Sequence, residues 1–214
     1  IPFSIKSQLN NFIINSDKIY CSKSNELIIS QNETNLIGLH NLSNIIAAIQ
    51  ISKLFDIENK TIKKSLLEFE PLEHRMEILR INSDVTFIND SKGTNVGATV
   101  AAVEGLGQRI DGHILLIAGG VGKGADFKSL VPIINRWGKE VILIGQDAVE
   151  ISTNFDADIK TYFATDMRDA VKVAYEHAAP GDAVLLSPAC ASFDMYENFQ
   201  HRGESFISSV ENLQ

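Results

Sequence analysis

The chain has 214 residues, 44% hydrophobic and 21% charged, the usage of an ordinary globular protein rather than a fibre or disordered chain. At about 150 residues per domain, this length suits one large domain or a domain and a half. Lys and Arg number 19 against 27 Asp and Glu, and a formal net charge of −8 lacks the basic footprint of a general nucleic-acid binder.

No apolar run approaches the ~18–20 residues that cross a bilayer. The longest, Ile114–Ala118 and Val184–Leu186, have the length of strands. Cys21 and Cys190 fit neither a disulfide scaffold nor a metal knuckle and read as reduced thiols of a cytoplasmic protein. The opening IPFSIKSQLN has no initiator Met, no basic stretch and no apolar leader, and reads as a processed or truncated start.

Residues 1–36 are polar and rich in Asn and Ser, with short β-like pieces at Lys18–Cys21 and Glu26–Ser30. They read as strands and loops at the edge of a larger domain. From Asn41 onward, Ile45, Ile46, Ala48, Ile49, Leu54 and Phe55 recur at helical spacing. A second helix is expected over about Asn59–Phe69, with Ile62, Leu66, Leu67 and Phe69 inward. It ends before Pro71, because proline restricts the residue ahead of it.

Beyond Leu79, strands are expected at Val85–Asn89, His113–Ala118, Val141–Ile144, Thr161–Ala164 and Ala183–Ser187. Helices are expected over about Val96–Leu106, Phe127–Trp137, Ala148–Thr153, Met167–Ala178 and Asn198–Asn212. Short apolar strands alternating with helices predict an α/β fold: a doubly wound, mostly parallel sheet covered on both faces. Residues 79–214 are about the size of one complete domain, and residues 1–78 read as part of another. In that first part Ile45, Ile49, Ile62 and Leu66 are expected to leave an apolar surface, their sheet lying mostly elsewhere.

Ligands of such sheets bind beyond the carboxyl ends of the strands. Three polar, Gly- or Ser-rich segments fall there: NDSKGTN (Asn89–Asn95), GGVGKGADF (Gly119–Phe127) and SPACASFDMYENF (Ser187–Phe199). Two carry a lysine, and the group suggests a site for a small anion. GGVGKGADF is not a phosphate loop, because Gly124 stands where Ser or Thr is required, and it fails the Rossmann glycine pattern too. A nucleotide turn, a plain strand–helix turn and a carboxylate site all remain open. Helix amides and the Lys123 ammonium favour a negative ligand.

In NDSKGTN, Thr94 or Asn95 is expected to cap the next helix. A cap alone does not account for an acid, two hydroxyls and a lysine together. In GLHNLSN (Gly38–Asn44), Asn41 and Asn44 share a helix face where amides could read a base edge, although Asn41 as a helix cap is the plainer reading. His40, His74, His177 and His201 show no metal-ligand spacing and read as surface or packing residues. Cys190 reads as a small buried hydrophobe.

In this order, GLHNLSNIIAA, EHRMEIL, INDSKGTN, LIAGGVGKGADF and LLSPACASFDMYENFQHRGESF resemble the Mur ligases, the ATP-dependent amide-forming enzymes of peptidoglycan precursor synthesis. The INDSKGTN and SPACASFD pair is similar to the D-glutamate-adding branch rather than to relatives that add L-alanine, a diamino acid or a dipeptide. The resemblance implies that 1–78 is the end of a central ATPase domain. It implies that 79–214 is a Rossmann-like domain bringing the incoming amino acid, with a hinge between Arg75 and Ile81.

The same resemblance implies ATP and Mg2+ as cofactors, held in the family by an upstream phosphate loop and metal ligands that cannot be located here. It implies D-glutamate and UDP-N-acetylmuramoyl-L-alanine as substrates, joined through an acyl phosphate. By that resemblance Lys92 is catalytic, and Thr94 and Lys123 face one D-glutamate carboxylate. Ser192 and the Phe199 N–H face the other, Asn44 approaches the adenine, and Arg75 and Asp90 bracket the nucleotide near the ribose. The alternatives are another glutamate-adding ligase similar to folylpolyglutamate synthase, and a non-catalytic Rossmann-like module that holds an acidic ligand.

Overall fold

The computed structural model describes residues 12–213, apart from 16–17, 23–24, 31–32, 35, 37–38 and 80–83. The chain divides into two units, one ending at Pro71 and one beginning at Leu72.

The first unit holds an antiparallel sheet of β1 (Phe12–Asn15), β2 (Lys18–Cys21) and β3 (Leu27–Ser30), followed by α1 (Leu39–Leu54) and α2 (Asn59–Leu67). Helix α1 begins before Asn41, so Asn41 lies inside the helix rather than capping it. Ile19, Ile28 and Ile29 of the sheet pack with Leu42, Ile45, Ile46 and Ile49 of α1 and Ile62 of α2, with Leu66 partly buried against them. The expected open apolar surface at Ile45, Ile49 and Ile62 is therefore corrected, because the unit's own strands cover these side chains.

Five residues of the expected apolar helix faces are exposed instead: Ala48, Leu54, Phe55, Leu67 and Phe69. At roughly 100° per residue Leu54 falls on the helix face opposite Ile45. Leu67 lies well round the helix from Ile62, and Phe55 and Phe69 follow the last helical turns.

The second unit runs β4 (Glu77–Leu79), β5 (Thr86–Asn89), α3 (Val96–Gly107), β6 (Ile114–Gly119), a 3-10 turn at Phe127–Ser129, and α4 (Leu130–Trp137). It continues with β7 (Gly138–Ile144), α5 (Ala148–Ser152), β8 (Lys160–Phe163), α6 (Met167–His177), β9 (Ala183–Leu186) and α7 (Phe199–Glu211). The six strands form one sheet in the order β4-β5-β9-β6-β7-β8. All pairings are parallel except β4 with β5, where Glu77 opposes Asn89 and Leu79 opposes Phe87. Because Glu77–Leu79 is the edge strand of this sheet, the division between units falls at Pro71/Leu72 rather than at 78/79.

Strand alternation gives the sheet two apolar faces. Phe87, Leu115, Ile117, Ile142, Ile144, Val184 and Leu186 pack against Met167, Ala170, Val171 and Ala174 of α6 and Phe206 and Val210 of α7. The alternate residues Leu116, Val141, Leu143 and Leu185 are equally buried, on the other face. Helix starts are set by side-chain caps: Asn95 accepts from the Ala98 amide, Asp166 from Asp169 and Asn198 from His201. Of the two caps the sequence left open for α3, Asn95 is the one used.

Candidate functional site

β9 lies between β5 and β6, so the segment leaving its carboxyl end neighbours both of the other loops. Backbone bonds stitch the three together. The Gly119 amide donates to the Pro188 carbonyl at 2.9 Å, Val121 and Ala191 exchange bonds at 2.9 and 3.0 Å, and the Ala189 amide donates to the Gly93 carbonyl at 2.9 Å. Two glycines permit this closeness. Gly120 has φ +124, and a side chain there would run into the Ala191 carbonyl. A Cβ on Gly93 would lie 2.6 Å from both Asp90 Oδ2 and Ser187 Oγ. The glycines that suggested an anion loop thus also serve loop-to-loop packing.

Arg202 of α7 is 1% exposed and is the centre of this assembly. Its Nε donates to Ser91 Oγ at 3.0 Å, one terminal nitrogen to the Ser91 carbonyl at 2.8 Å and the other to the Cys190 carbonyl at 3.1 Å. Ser91 Oγ in turn donates to the Phe199 carbonyl at 2.7 Å. Burial pulls the Arg202 pKa down from 12.5 to about 10, so the guanidinium stays charged at neutral pH. One side chain therefore fixes the loop after β5, the loop after β9 and the start of α7. Arg202 and the side-chain role of Ser187 were not singled out in the sequence, and His74 was read only as a surface or packing residue; the only signal for Arg202 was its place in the QHRGESF tail of the last motif.

Asp90 is 7% exposed, and its Oδ2 accepts from Ser187 Oγ at 2.7 Å, which also lies 3.1 Å from Thr99 Oγ1. Burial pushes the Asp90 pKa from 3.8 to about 6, against the Ser187 bond, the Met76 amide and the positive charges of Arg75 and Arg202. Arg75 itself is exposed. Beside them, Asn89 is buried. Its Oδ1 accepts from the Ser91 amide, and its Nδ2 donates to Glu77 Oε2 and to His74 Nδ1 at 2.8 Å. With those two roles fixed, His74 Nδ1 must be the acceptor and the ring proton sits on Nε2. The His74 carbonyl accepts from the Lys92 amide at 3.0 Å, and its amide donates to Glu77. Residues 74–79 are therefore fastened to the second unit rather than forming the expected hinge; Arg80 and Ile81 lie outside the described residues.

Lys92 is half-buried, with Nζ 3.8 Å from the centroid of the Phe199 ring, a cation–π contact that holds it at the start of α7. Thr94 is also half-buried, its amide donating to the Lys92 carbonyl. Ser192 is 3% exposed, and its carbonyl accepts from the Met195 and Tyr196 amides. Lys123 is exposed, with Nζ 5.9 Å from the centroid of Phe193, the residue after Ser192.

Among the described residues neither Lys92 nor Lys123 has a carboxylate within salt-bridge distance. Phe199 opens α7, so its amide has no intrahelical acceptor and lies at the positive end of the helix dipole. The edge thus gathers unpaired ammonium groups, hydroxyls and a helix N-terminus on loops locked to one another, an arrangement suited to a small ligand with carboxylates. Burial pushes the Cys190 thiol up to about 12, which keeps it protonated at neutral pH. Asn44, in the first unit, is exposed, and its Nδ2 donates to Asn41 Oδ1 at 3.3 Å. Gly38 and the His40 side chain lie outside the described residues.

Fold and site together define an α/β module with lysines, hydroxyls and a helix N-terminus gathered at the carboxyl ends of a mostly parallel sheet. Residues 74–190 match the family described as "Mur ligase, glutamate ligase domain". The chain belongs to the Mur ligase family.

It is 50% identical over 177 residues to the UDP-N-acetylmuramoylalanine–D-glutamate ligase of Bordetella parapertussis, covering 82% of this chain and 34% of that protein. It is 44% identical over 188 residues to the enzyme of the same name from Idiomarina loihiensis, covering 87% and 40%. The chain thus spans about a third to two fifths of these relatives. Among solved structures, a MurF ligase from Thermotoga maritima in complex with ADP is similar with TM-score 0.65 and 14% identity, over 94% of this chain and 45% of that one. A folylpolyglutamate synthase from Mycobacterium tuberculosis complexed with ADP is similar with TM-score 0.60 and 14% identity, over 85% and 42%. At these identities the structural likeness is one of fold.

Proposed function

We propose that this chain is the amino-acid-accepting part of an ATP-dependent ligase that joins D-glutamate to UDP-N-acetylmuramoyl-L-alanine in peptidoglycan precursor synthesis, in the cytoplasm. The observation that carries the reading is the identity to D-glutamate ligases, together with two unpaired lysines on interlocked strand-end loops. The fold likeness to folylpolyglutamate synthase does not favour that substrate, and the non-catalytic reading has no observation of its own.

D-glutamate brings two carboxylates and an amine. Lys123 and the Thr94 hydroxyl would take one carboxylate, by a charge-assisted bond and a neutral one. Ser192 and the Phe199 amide would take the other, with the α7 dipole adding to the attraction. The two anchors leave the amine directed at the acyl carbon. ATP supplies the phosphoryl group that activates the alanyl carboxylate as an acyl phosphate. The neutral amine adds to that carbon, the C–N bond forms, the amine loses a proton, and the C–O bond to phosphate breaks. Lys92 would stabilise the oxyanion and departing phosphate, being held rigidly over Phe199 before the reaction begins. Arg75 and Asp90 would bracket the nucleotide near the ribose and Asn44 would approach the adenine. Asp90 contributes chiefly by anchoring its loop, since its Oδ2 is taken by Ser187.

Mg2+ would accompany the ATP, as the family resemblance implies; among the described residues no three His, Cys, Asp or Glu side chains group as a metal site.

Titration of the 15N-labelled chain with D-glutamate tests the reading. Amide shifts at Thr94, Lys123, Ser192 and Phe199, larger with D- than with L-glutamate, are expected. Equal responses to both enantiomers, or shifts elsewhere only, would overturn it.

A further inference from the structure

We propose that Asp147 is a positioning residue for Lys123: its carboxylate holds the turn that aims the ammonium. The functional consequence rests on reading Lys123 as the cation that meets a ligand carboxylate.

Asp147 stands just before α5, where an aspartate ordinarily caps the first-turn amides of its own helix. Its side chain makes no such bond. Instead Oδ2 reaches across to the loop after β6 and accepts the Gly122 amide at 2.6 Å, while the Asp147 amide donates to the Gly120 carbonyl at 3.0 Å. Two bonds of opposite direction clamp residues 120–122 to the loop after β7.

Directly beyond the clamp, the Gly122 carbonyl accepts the Ala125 amide at 3.1 Å and closes a four-residue turn. Its central residues are Lys123 at φ 55 and Gly124 at φ 72, both left-handed, as in a type I′ turn. A lysine in that region is sterically unfavourable and persists only where its surroundings over-determine the backbone. The Phe127 ring packs against Gly122, and the Asp147 carboxylate supplies the hydrogen bond that fixes the Gly122 amide.

The bracing extends to the third loop. Gln146 Nε2 donates to Asp147 Oδ1 at 3.2 Å, and the Gln146 amide donates to Asp194 Oδ2 at 2.7 Å. Asp194 follows Phe193, the ring beside the Lys123 ammonium, and lies on the segment that carries Ser192. Lys123 and Ser192, on loops from different strands, are thus referred to one another through Asp147, Gln146 and Asp194. Asp147 bonds to backbone and not to the Lys123 ammonium, so its part is geometric rather than neutralising.

The test compares the 15N-labelled chain with Asp147→Ala, Asp147→Asn, Asp147→Ser, Lys123→Ala and the Asp147→Ala/Lys123→Ala pair. Asn keeps an acceptor oxygen for Gly122, whereas Ser can cap α5 but is too short to reach that amide. Without ligand, relaxation at Gly122–Ala125 should show a loosened turn in the Ala and Ser variants and an ordered one in Asn, with α6 amides unchanged as the control for folding. With D-glutamate as the probe, Asp147→Ala should weaken binding about tenfold and Asp147→Asn by less than about twofold. In the Lys123→Ala background, Asp147→Ala should add no further loss.

An ordered turn in both Ala and Ser variants, or an undiminished loss in the Lys123→Ala background, would overturn the proposal. Absence of D-glutamate binding by the unsubstituted chain would instead overturn the reading of Lys123, and the ligand-free relaxation would still decide what Asp147 does to the turn.

Discussion

Replacing Asp90 by Asn should flatten the pH dependence of stability of the second unit. The carboxylate is 7% exposed, and burial raises its pKa from 3.8 to about 6. The folded state therefore binds this proton more tightly than the unfolded chain does. Unfolding free energy should rise as pH falls from about 7 to about 4, and below that range the group should contribute no further change. At 1.36 kcal/mol per pH unit, the separation between 3.8 and about 6 corresponds to roughly 3 kcal/mol across the window. Asp182 acts oppositely and at lower pH. Burial raises its pKa, but the His113 and Ala179 amides and Lys139 outweigh this and bring it below 3.8, so its contribution is lost as pH falls below that value. Urea unfolding followed by the fluorescence of Trp137, the single tryptophan, reads the second unit directly. Asn cannot titrate, so the difference between the two proteins isolates Asp90. Parallel stability curves from pH 7 to pH 4.5 would refute the assignment of a raised carboxyl at this position.

Lys123→Ala should weaken D-glutamate binding roughly 10–150-fold, the value of a charge-assisted bond of about 1.5–3 kcal/mol. An unchanged titration curve would remove Lys123 from the site. Arg202→Ala should destabilise the second unit by about 3–5 kcal/mol, since buried acceptors on Ser91 and Cys190 lose their donors. Arg202→Lys should recover less than half of that in thermal unfolding, because one ammonium cannot span all three. Expressed separately, residues 72–214 should melt in one cooperative transition, as every strand of the six-stranded sheet lies within them. A molten 72–214 beside a sharply melting whole chain would refute the boundary. The chain by itself should release no phosphate from ATP above background, because no phosphate-loop pattern occurs in its sequence.

Much of the second unit could be read from local pattern. Apolar runs such as Ile114–Ala118 and periodic faces such as Ala170, Val171 and Ala174 carry their own secondary structure, because side-chain periodicity is a property of a few consecutive residues. The strand-end segments could likewise be assigned to one sheet edge, since a parallel strand–helix alternation places all such segments there.

What had no local signature was decided by tertiary contact. Glu77–Leu79 is a strand only because β5 offers it a partner; Ile78 is exposed and the segment is too short to show alternation. The faces of α1 and α2 were legible, but what covers Ile45, Ile49 and Ile62 was not, since a sequence shows which side is apolar and not what lies against it. Arg202 and Asp147 are the sharpest cases. An arginine in a helix and an aspartate before one read as a solvated charge and a cap. Here both are spent on backbone groups of other loops, and backbone amides and carbonyls are the same at every position of a sequence. Only the order β5-β9-β6 brings those groups within reach, and with them the geometry of Lys92, Lys123 and Ser192.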